Sequence, residues 1–337
     1  MPGGYGQGDL EWGAADAAAV LSLPTPNDHK YSRGTVSLRT GSRAYPGAAA
    51  LTVEGAWRAG VGMVMWHGDP AIAPLVMHRR PETVIGSARE PDAAVLGSGV
   101  DGRDRGDNVT GAFRARLRSA VPTVIDAGAL DLVTDVRGPV IATPHEAELA
   151  ELRIPLGLGI DDIEGDPLRE RLRGGFRERL LVVRETAVAL GGVVLLKGAE
   201  TIVATPGGWW TVVRAGTPWL ATAGTGDVLA GAMGALVAGA AARRSRRADG
   251  ARRGENDPDA DAPTLETEEL GPIAATAAWL HGTAGRLAAG QEVLRSQDGA
   301  LVSAGARPPA PGHPITALDV AERLPESFAL ALAAARG

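Results

Sequence analysis

Short apolar runs alternate along the chain with longer segments in which apolar residues recur at helical spacing. Such runs are typical of the interior strands of a parallel sheet, and the segments between them are long enough for crossover helices. The alternation therefore predicts an α/β fold with a mostly parallel central sheet that helices cover on both faces. The predicted interior strands span residues 35–38, 62–66, 93–96, 123–126, 140–142 and 193–196, and the predicted helices between them span 48–58, 112–120, 145–152 and 169–190.

The pattern changes beyond residue 197. Two short apolar runs, 201–204 and 209–213, flank Pro206-Gly207-Gly208, which predicts a hairpin. A run of small apolar residues over 228–242 predicts a packed helix, because it is shorter than the ~18 residues that a membrane span needs. The C-terminal third is predicted to be helical over 273–289, 316–323 and 326–335.

Residues 243–269 are rich in Arg, Asp, Glu, Gly and Pro and contain almost no large apolar side chain. This composition predicts a flexible surface insertion, basic in its first half and acidic in its second. Because no internal repeat is visible, residues 1–337 are interpreted as one domain.

Composition narrows the classes of function. The chain contains no cysteine, which excludes disulfides, thiolate metal sites and a cysteine nucleophile. Residues 1–10 lack the basic start and apolar run of a secretory signal, so we expect a cytoplasmic protein that does not bind membranes. The net charge of -6 argues against general nucleic-acid binding.

The segment Ala223-Gly224-Thr225-Gly226-Asp227 opens directly into the small-residue helix. Two glycines let successive backbone N–H groups converge, and the positive end of the helix dipole adds to the same point. This arrangement predicts an anion cradle, with Asp227 placed to take a proton from a hydroxyl beside a bound phosphate. The alternative is an ordinary capped core helix.

Lysine is rare in this chain. Of 34 Lys and Arg residues only Lys30 and Lys197 are lysine. Lys197 follows an apolar strand and precedes a turn, where a compact point charge could meet a phosphate that an arginine fork would fit poorly. The alternative is a surface lysine at a strand end.

Four turns with unusual residues each follow a predicted strand: Gly97-Ser98-Gly99, Asp126, Thr143-Pro144-His145 and Lys197-Gly198. Since ligands bind beyond the carboxyl ends of parallel strands, we expect these turns to share one cleft. His145 is interpreted as a ligand contact rather than a core histidine, and no second His or Cys is spaced for a metal site.

Residues 97–102 also match the glycine pattern of nicotinamide dehydrogenases, with Asp126 as a ribose-binding acid. The following segment is polar and broken by glycine, which does not favour the packed helix that this motif needs. The chain contains no G-x-x-x-x-G-K-[ST] motif, so a P-loop enzyme is not predicted.

Taken together, these motifs resemble those of the ADP/ATP-dependent NAD(P)H-hydrate dehydratases of the ribokinase-like superfamily. The segments that carry the resemblance are His29-Lys30-Tyr31-Ser32-Arg33-Gly34, Tyr45-Pro46-Gly47-Ala48, Ala59-Gly60-Val61-Gly62, Thr143-Pro144-His145 with Glu148, Leu196-Lys197-Gly198-Ala199 with Thr201, Gly216-Thr217-Pro218-Trp219-Leu220, Ala223-Gly224-Thr225-Gly226-Asp227, and Ala317-Leu318-Asp319.

The resemblance implies a ribokinase-like three-layer α/β/α sandwich and an enzyme that repairs nicotinamide cofactors hydrated at C6. A nucleotide, ADP or ATP with Mg2+, would phosphorylate the hydroxyl of NADH hydrate or NADPH hydrate, and phosphate would then leave. Asp227 would be the catalytic base, and the implied contacts to the hydrated cofactor are Ala48, Gly99, His145 and Asp227. The implied nucleotide contacts are Lys197, Gly198, Ala199, Glu200, Thr201, Gly224, Thr225 and Gly226. The resemblance also implies a homo-oligomer, a tetramer in the family, and a separate epimerase that acts on the same metabolites.

The chain departs from the family pattern in several places. The family's Gly-Pro-Gly-Leu-Gly becomes Gly97-Ser98-Gly99-Val100-Asp101, and Asp-Ala-Asp-Ala-Leu becomes Asp126-Ala127-Gly128-Ala129-Leu130. We expect no N-terminal epimerase domain, because the segment before Asp28 is short. Two alternatives remain open: a ribokinase-like kinase of a small alcohol of the sugar, hydroxymethylpyrimidine or thiazole type, and a nucleotide-binding regulator without catalysis.

Overall fold

The structure, a computed structural model, describes residues 11–158, 167–252, 265–291 and 311–335. Within these ranges, nine strands form one sheet in the order β3-β2-β1-β4-β5-β6-β7-β8-β9. The strands are β1 (Thr35–Arg39), β2 (Met63–Trp66), β3 (Val84–Ile85), β4 (Ala93–Leu96), β5 (Thr123–Ile125), β6 (Val140–Ala142), β7 (Val193–Leu196), β8 (Thr201–Ala204) and β9 (Trp210–Val213).

Strands β1 to β7 pair in parallel, and β8 and β9 extend the sheet as an antiparallel hairpin. Val36 of β1 pairs with Val64 of β2 on one side and with Ala93 of β4 on the other. The chain therefore adds β2 and β3 on one side of β1, and then returns to add β4 and the later strands on the opposite side. This reversal opens a crevice at the carboxyl ends of β1 and β4, where doubly wound sheets bind ligands.

Helices cover both faces of the sheet. They are α1 (Ala14–Val20), α2 (Pro46–Arg58), α3 (Ala73–Arg79), α4 (Asp107–Leu117), α5 (Glu146–Arg153), α6 (Pro167–Arg173), α7 (Phe176–Leu190), α8 (Thr225–Arg252), α9 (Thr267–Ala288) and α10 (Ala317–Ala334). Short 3-10 segments span Ala127–Asp135 and Pro218–Leu220, and Ile154–Leu158 forms a π turn.

Strand β7 shows why three layers form. Its alternate residues Val193 and Leu195 join a core with α2, α8, α9 and α10, whereas Val194 and Leu196 join a second core with α4, α5 and α7. Because successive side chains of a strand point to opposite faces, a fully apolar strand needs helices on both sides. The predicted α/β/α sandwich with its mostly parallel sheet is confirmed.

The prediction of a flexible loop beginning at residue 243 is wrong for its first part, because α8 continues to Arg252. Alanine and arginine are good helix formers, and Arg243 is half-buried and donates a hydrogen bond to the Ser22 hydroxyl at 2.6 Å. At the other end, α9 already begins at Thr267. Residues 253–264 of the predicted insertion lie outside the described residues.

Three further differences concern element boundaries. The two-residue edge strand β3 was not predicted, because two residues carry no periodicity. The helix predicted over 169–190 is divided into α6 and α7 at Gly174 and Gly175, the second of which has a positive φ of 94°. Conversely, residues 317–334 form a single helix that continues through Pro325, since the buried residues on both sides of it pack into the core.

The span Thr225–Ala248 of α8 is long and apolar enough to cross a membrane, with a mean hydropathy of 1.4 over its most apolar window. However, 67% of that window is buried inside the protein, where α8 packs on α2, α9 and the sheet. Its apolar composition is therefore accounted for by the core.

Candidate active site

The turn before α8 has the geometry that the sequence predicts for an anion cradle. Gly224 has a φ of +89°, and a Cβ at this position would lie 2.5 Å from the side chain of Leu51, so only glycine fits. The hydroxyl of Thr225 donates to the carbonyl oxygens of Leu220 at 2.9 Å and Thr222 at 3.0 Å, which fixes the turn. In the first turn of α8, the N–H groups of Thr225 and Val228 donate to the Thr222 and Gly224 carbonyls. Those of Gly226 and Asp227 have no partner among the described residues and are available to an anion.

Asp227 lies in the first turn of α8, and its carboxylate has no hydrogen-bond or ion-pair partner among the described residues. The pKa of Asp227 is raised to about 7, mainly by burial and also by the negative charge of Asp126, while Lys197 partly opposes both effects. A carboxyl group with a pKa near neutrality can accept a proton and return it, which is the property that a general base needs.

Asp126 directly follows β5 and is 4% exposed. Its carboxylate accepts hydrogen bonds from the Ser98 hydroxyl at 2.9 Å and the Thr143 hydroxyl at 2.8 Å. The Lys197 ammonium donates to the same carboxylate at 2.8 Å. Three of these residues follow β4, β6 and β7, so the prediction that these turns share one cleft is confirmed.

Lys197 is partly buried rather than a free surface lysine, with 22% of its side chain exposed. Its Nζ lies 2.8 Å from Asp126 and 3.4 Å from the Glu148 carboxylate, and 3.9 Å from the point where a Cβ on Gly226 would lie. Burial lowers the pKa of Lys197, but Asp126 and Glu148 outweigh that effect and raise it, so the group is a cation. The ammonium is therefore held between two carboxylates and next to the anion cradle.

His145 is the N-cap of α5 rather than a core histidine, and 55% of its side chain is exposed. Its Nδ1 accepts a hydrogen bond from the backbone N–H of Glu148 at 3.2 Å, and the Glu148 carboxylate accepts one from the backbone N–H of His145 at 2.8 Å. This reciprocal cap orients Glu148 toward Lys197 and leaves the imidazole ring facing solvent at the edge of the cleft.

Gly99 and Ala48 meet at the crevice between β1 and β4. Gly99 has a φ of +67°, and a Cβ there would collide with the Cβ of Ala48 and lie 3.2 Å from Gly41. The structure thus brings together two of the residues that the resemblance implies for the hydrated cofactor.

The 198–201 turn joins β7 to β8 and ends at Thr201, the first residue of β8; Gly198 and Ala199 are exposed. The Thr201 hydroxyl donates to the Gly198 carbonyl at 3.2 Å. The Glu200 carboxylate is held by Arg214 at 2.8 Å and by Arg179 at 3.5 Å. The two arginines thus hold Glu200 in place, while the backbone of the turn remains accessible next to Lys197.

Sequence reasoning did not identify the central position of Asp126 or the contribution of His281. His281 lies in the middle of α9, 8% exposed, and forms a hydrogen bond with the backbone of Thr225. Burial lowers the pKa of His281 to about 4, so the imidazole is neutral at the start of α8. Its Nε2 has no partner among the described residues. In the sequence, His281 is a single polar residue in an apolar helix, which carries no signal of this contact.

The described residues contain no cluster of three or more side chains able to hold a metal ion by themselves. Mg2+ that arrives with a nucleotide usually takes one or two carboxylates together with phosphate oxygens. Asp126 and Glu148 are carboxylates of this kind next to the cradle, and they would share such an ion with the Lys197 ammonium that they already contact.

The fold is a three-layer α/β/α sandwich of the ribokinase-like type, and the glycine turn that precedes α8 lies at the carboxyl edge of its sheet. A ribokinase-like superfamily protein from Enterococcus faecalis shares this fold, with 19% identity, a TM-score of 0.68 and 98% of each chain covered. The family model for NAD(P)H-hydrate dehydratase matches residues 36–304, and the chain belongs to that family.

Two curated relatives show the extent of the similarity. The bifunctional NAD(P)H-hydrate repair enzyme Nnr of Mycobacterium tuberculosis is 36% identical over 240 residues, which cover 68% of this chain and 46% of that protein. The chain thus matches about half the length of these bifunctional relatives. The ADP-dependent (S)-NAD(P)H-hydrate dehydratase of Xanthomonas campestris is 33% identical over 252 residues, which cover 68% of this chain and 79% of that protein.

A solved structure is similar over most of its length. The ADP/ATP-dependent NAD(P)H-hydrate dehydratase of Bacillus subtilis, co-crystallized with ATP and Mg2+, is 26% identical with a TM-score of 0.58. The alignment covers 81% of this chain and 98% of that one.

Proposed function

We propose that this chain catalyses the ADP- or ATP-dependent dehydration of (6S)-NADH hydrate and (6S)-NADPH hydrate to NADH and NADPH. The observation that carries the proposal is the largely buried carboxylate of Asp227, which has a pKa of about 7 and no partner among the described residues. It lies in the first turn of a helix that a glycine turn precedes. A base and a phosphate-binding site within one helical turn are the parts that phosphorylation of a hydroxyl requires.

In the proposed reaction, Asp227 removes the proton of the C6 hydroxyl while the oxygen of that hydroxyl attacks the terminal phosphorus of the nucleotide. The bond from that phosphorus to the nucleotide breaks, and the Gly224 to Gly226 amides stabilise the charge on the transferring group. The C6–O bond then breaks, phosphate leaves with the bonding electrons, and loss of a proton from C5 restores the double bond.

Lys197 and the 198–201 turn serve the nucleotide in this proposal. The Lys197 ammonium lies beside Gly226, where it can neutralise phosphate charge, and the exposed backbone of the turn can accept the nucleotide. Asp126 and Glu148 hold Lys197 in place and would hold Mg2+, which supplies further neutralisation of the phosphates when bound.

We assign the hydrated cofactor to the crevice between β1 and β4. Ala48 and Gly99 form a floor of small residues at the β1–β4 crevice, where a larger side chain would fill the space, and His145 lies exposed at the rim. We further propose a cytoplasmic enzyme that works as a homo-oligomer, a tetramer as in the family, together with a separate epimerase acting on the same metabolites.

The test is direct. The protein is incubated with hydrated NADH or NADPH, Mg2+, and either ADP or ATP, and the absorbance of the reduced nicotinamide is followed. The proposal expects recovery of that absorbance only when a nucleotide is present. Absence of recovery here, together with nucleotide-dependent phosphorylation of a small alcohol of the sugar, hydroxymethylpyrimidine or thiazole type in a parallel incubation, would instead identify a kinase.

A further inference from the structure

A cavity of about 580 Å³ lies away from the candidate active site. It is lined by the segment between α1 and β1, the end of α2, the C-terminal half of α8 and one turn of α10. Ser32 and Arg33 precede β1 and Gly60 precedes β2, so the cavity is at the amino ends of the strands, whereas the active-site turns follow the carboxyl ends. Its volume is within the usual range for small-molecule sites.

The wall of this cavity has two chemically different parts. One is apolar and includes Leu21, Leu236 and Phe328, which come from three separate elements. The other is basic: the lining residues include Arg33, Arg58, Arg243, Arg246 and Arg247. The last three are spaced three and four residues apart on α8, so they lie on one face of that helix.

Acidic neighbours compensate only part of this charge. Arg246 is paired with Asp28 at 2.5 Å. Arg58 contacts Glu54 at 3.0 Å, but the buried Glu54 carboxylate is already shared with Arg79 and Arg80. Asp28 is the one acidic residue in the described lining of the cavity.

The remaining three arginines have no acidic partner among the described residues. Arg33 donates to the Gly60 carbonyl at 2.6 Å, and Arg243 donates to the Ser22 hydroxyl at 2.6 Å. Arg247 is exposed and has no described hydrogen bond or ion pair. Burial, followed by repulsion from Arg247 and Arg246, lowers the pKa of Arg243. An anion in the cavity would relieve that repulsion.

We propose that this cavity binds a phosphorylated small molecule with an apolar body, at a site separate from the nucleotide cradle. The uncompensated guanidinium groups of Arg33, Arg243 and Arg247 bind the phosphate, to which their planar donors are suited. The apolar body packs on Leu21, Leu236 and Phe328. The inference does not depend on the proposed dehydratase activity.

The probe for this site is 1-naphthyl phosphate, with inorganic phosphate and 1-naphthol as its two halves. Binding is measured by calorimetry with the full chain saturated with ADP, so that the nucleotide cradle is occupied. We expect saturable binding of 1-naphthyl phosphate, at least tenfold tighter than that of either half.

Arg247→Gln is the test variant, because an exposed side chain with no partner among the described residues can be replaced without disturbing the fold. Arg244→Gln is the matched control: it makes the same charge change on the same helix at a residue that pairs with Glu269 at 2.5 Å and does not line the cavity. The proposal expects about tenfold weaker binding in R247Q, because that variant loses one charge-assisted contact to the phosphate. It expects unchanged binding in R244Q.

Equal affinity in R247Q and the parent protein would overturn the proposal, as would absence of saturable binding. A second titration without ADP completes the test: binding of the probe that occurs only when ADP is absent would assign it to the nucleotide site and also overturn the proposal. Inorganic phosphate binding as tightly as 1-naphthyl phosphate would remove the apolar part of the assignment. None of these outcomes depends on whether the protein dehydrates NAD(P)H hydrate.

Discussion

Asp227→Asn should remove catalysis and, in the same protein, increase stability above neutral pH. The substitution keeps the shape of the side chain and removes the group that accepts the proton, and loss of a general base costs on the order of 10²–10⁴ in rate. We therefore expect kcat to fall by that factor, while the dissociation constants of ADP and ATP change little, because Asp227 makes no described contact with Lys197 or the 198–201 turn.

The stability effect follows from the pKa of Asp227, which burial and the negative charge of Asp126 raise from 3.8 to about 7. Between these values the folded state binds more protons than the unfolded state, so the free energy of unfolding decreases as pH rises. Above pH 7 the charged carboxylate costs about 4 kcal/mol relative to its protonated form, as an order of magnitude. Asn carries no charge, so the variant avoids this loss.

The assay is urea unfolding of both proteins across this pH range, combined with kcat measurements. We expect the variant and the parent to have similar unfolding free energies near pH 4, and the variant to be more stable by several kcal/mol above pH 7. Parallel stability curves would refute the pKa argument, and a variant with more than half the parent kcat would remove Asp227 from the mechanism.

Three further predictions follow from the same network. Lys197→Arg should raise the dissociation constants of ADP and ATP about tenfold or more, because the larger planar group does not fit between Asp126 and Glu148. Equal affinities of the variant and the parent by calorimetry would contradict this prediction. Asp126→Asn should shift the rising limb of the pH profile of kcat to lower pH, since its negative charge raises the pKa of the base; an unshifted or upward-shifted limb would argue against that coupling. Gly224→Ala should lower the free energy of unfolding by about 1–3 kcal/mol and weaken nucleotide binding, because φ at Gly224 is +89° and a Cβ there would collide with its neighbours. Gly47→Ala is the control and should have neither effect, because a Cβ on Gly47 would meet nothing within 4 Å. Equal effects of the two variants in thermal melts would exclude a special conformation at the cradle.

The sheet was predictable because its strands are short, fully apolar and bounded by turns. β4, β6, β7 and β8 have the predicted bounds, and the shared cleft follows from which turns come after parallel strands. The length of α8 was not predictable from composition, because arginines on a half-buried helix face resemble those of a solvated loop. Their contacts with Ser22 and Asp28 come from residues more than two hundred positions away.

The candidate site likewise has parts that the sequence predicts and parts that it does not. Local signals in the sequence indicate part of the site: a tight turn indicates the glycines of the cradle and Asp227, and a rare residue type indicates Lys197. That Lys197 is held by Asp126 is a contact across 71 positions that no local pattern encodes. The hydrogen bond from His281 to the start of α8 depends likewise on how α9 packs in the core.

The central claim is that the nucleotide phosphorylates the C6 hydroxyl and that this oxygen leaves with the phosphate. The measurement is to prepare hydrated NADH whose C6 hydroxyl carries a heavy oxygen isotope, let the enzyme act with ADP or ATP, and examine the released inorganic phosphate by phosphorus NMR. The account predicts one labelled oxygen in the phosphate for each NADH formed. Unlabelled phosphate, with the heavy oxygen in water, would contradict it.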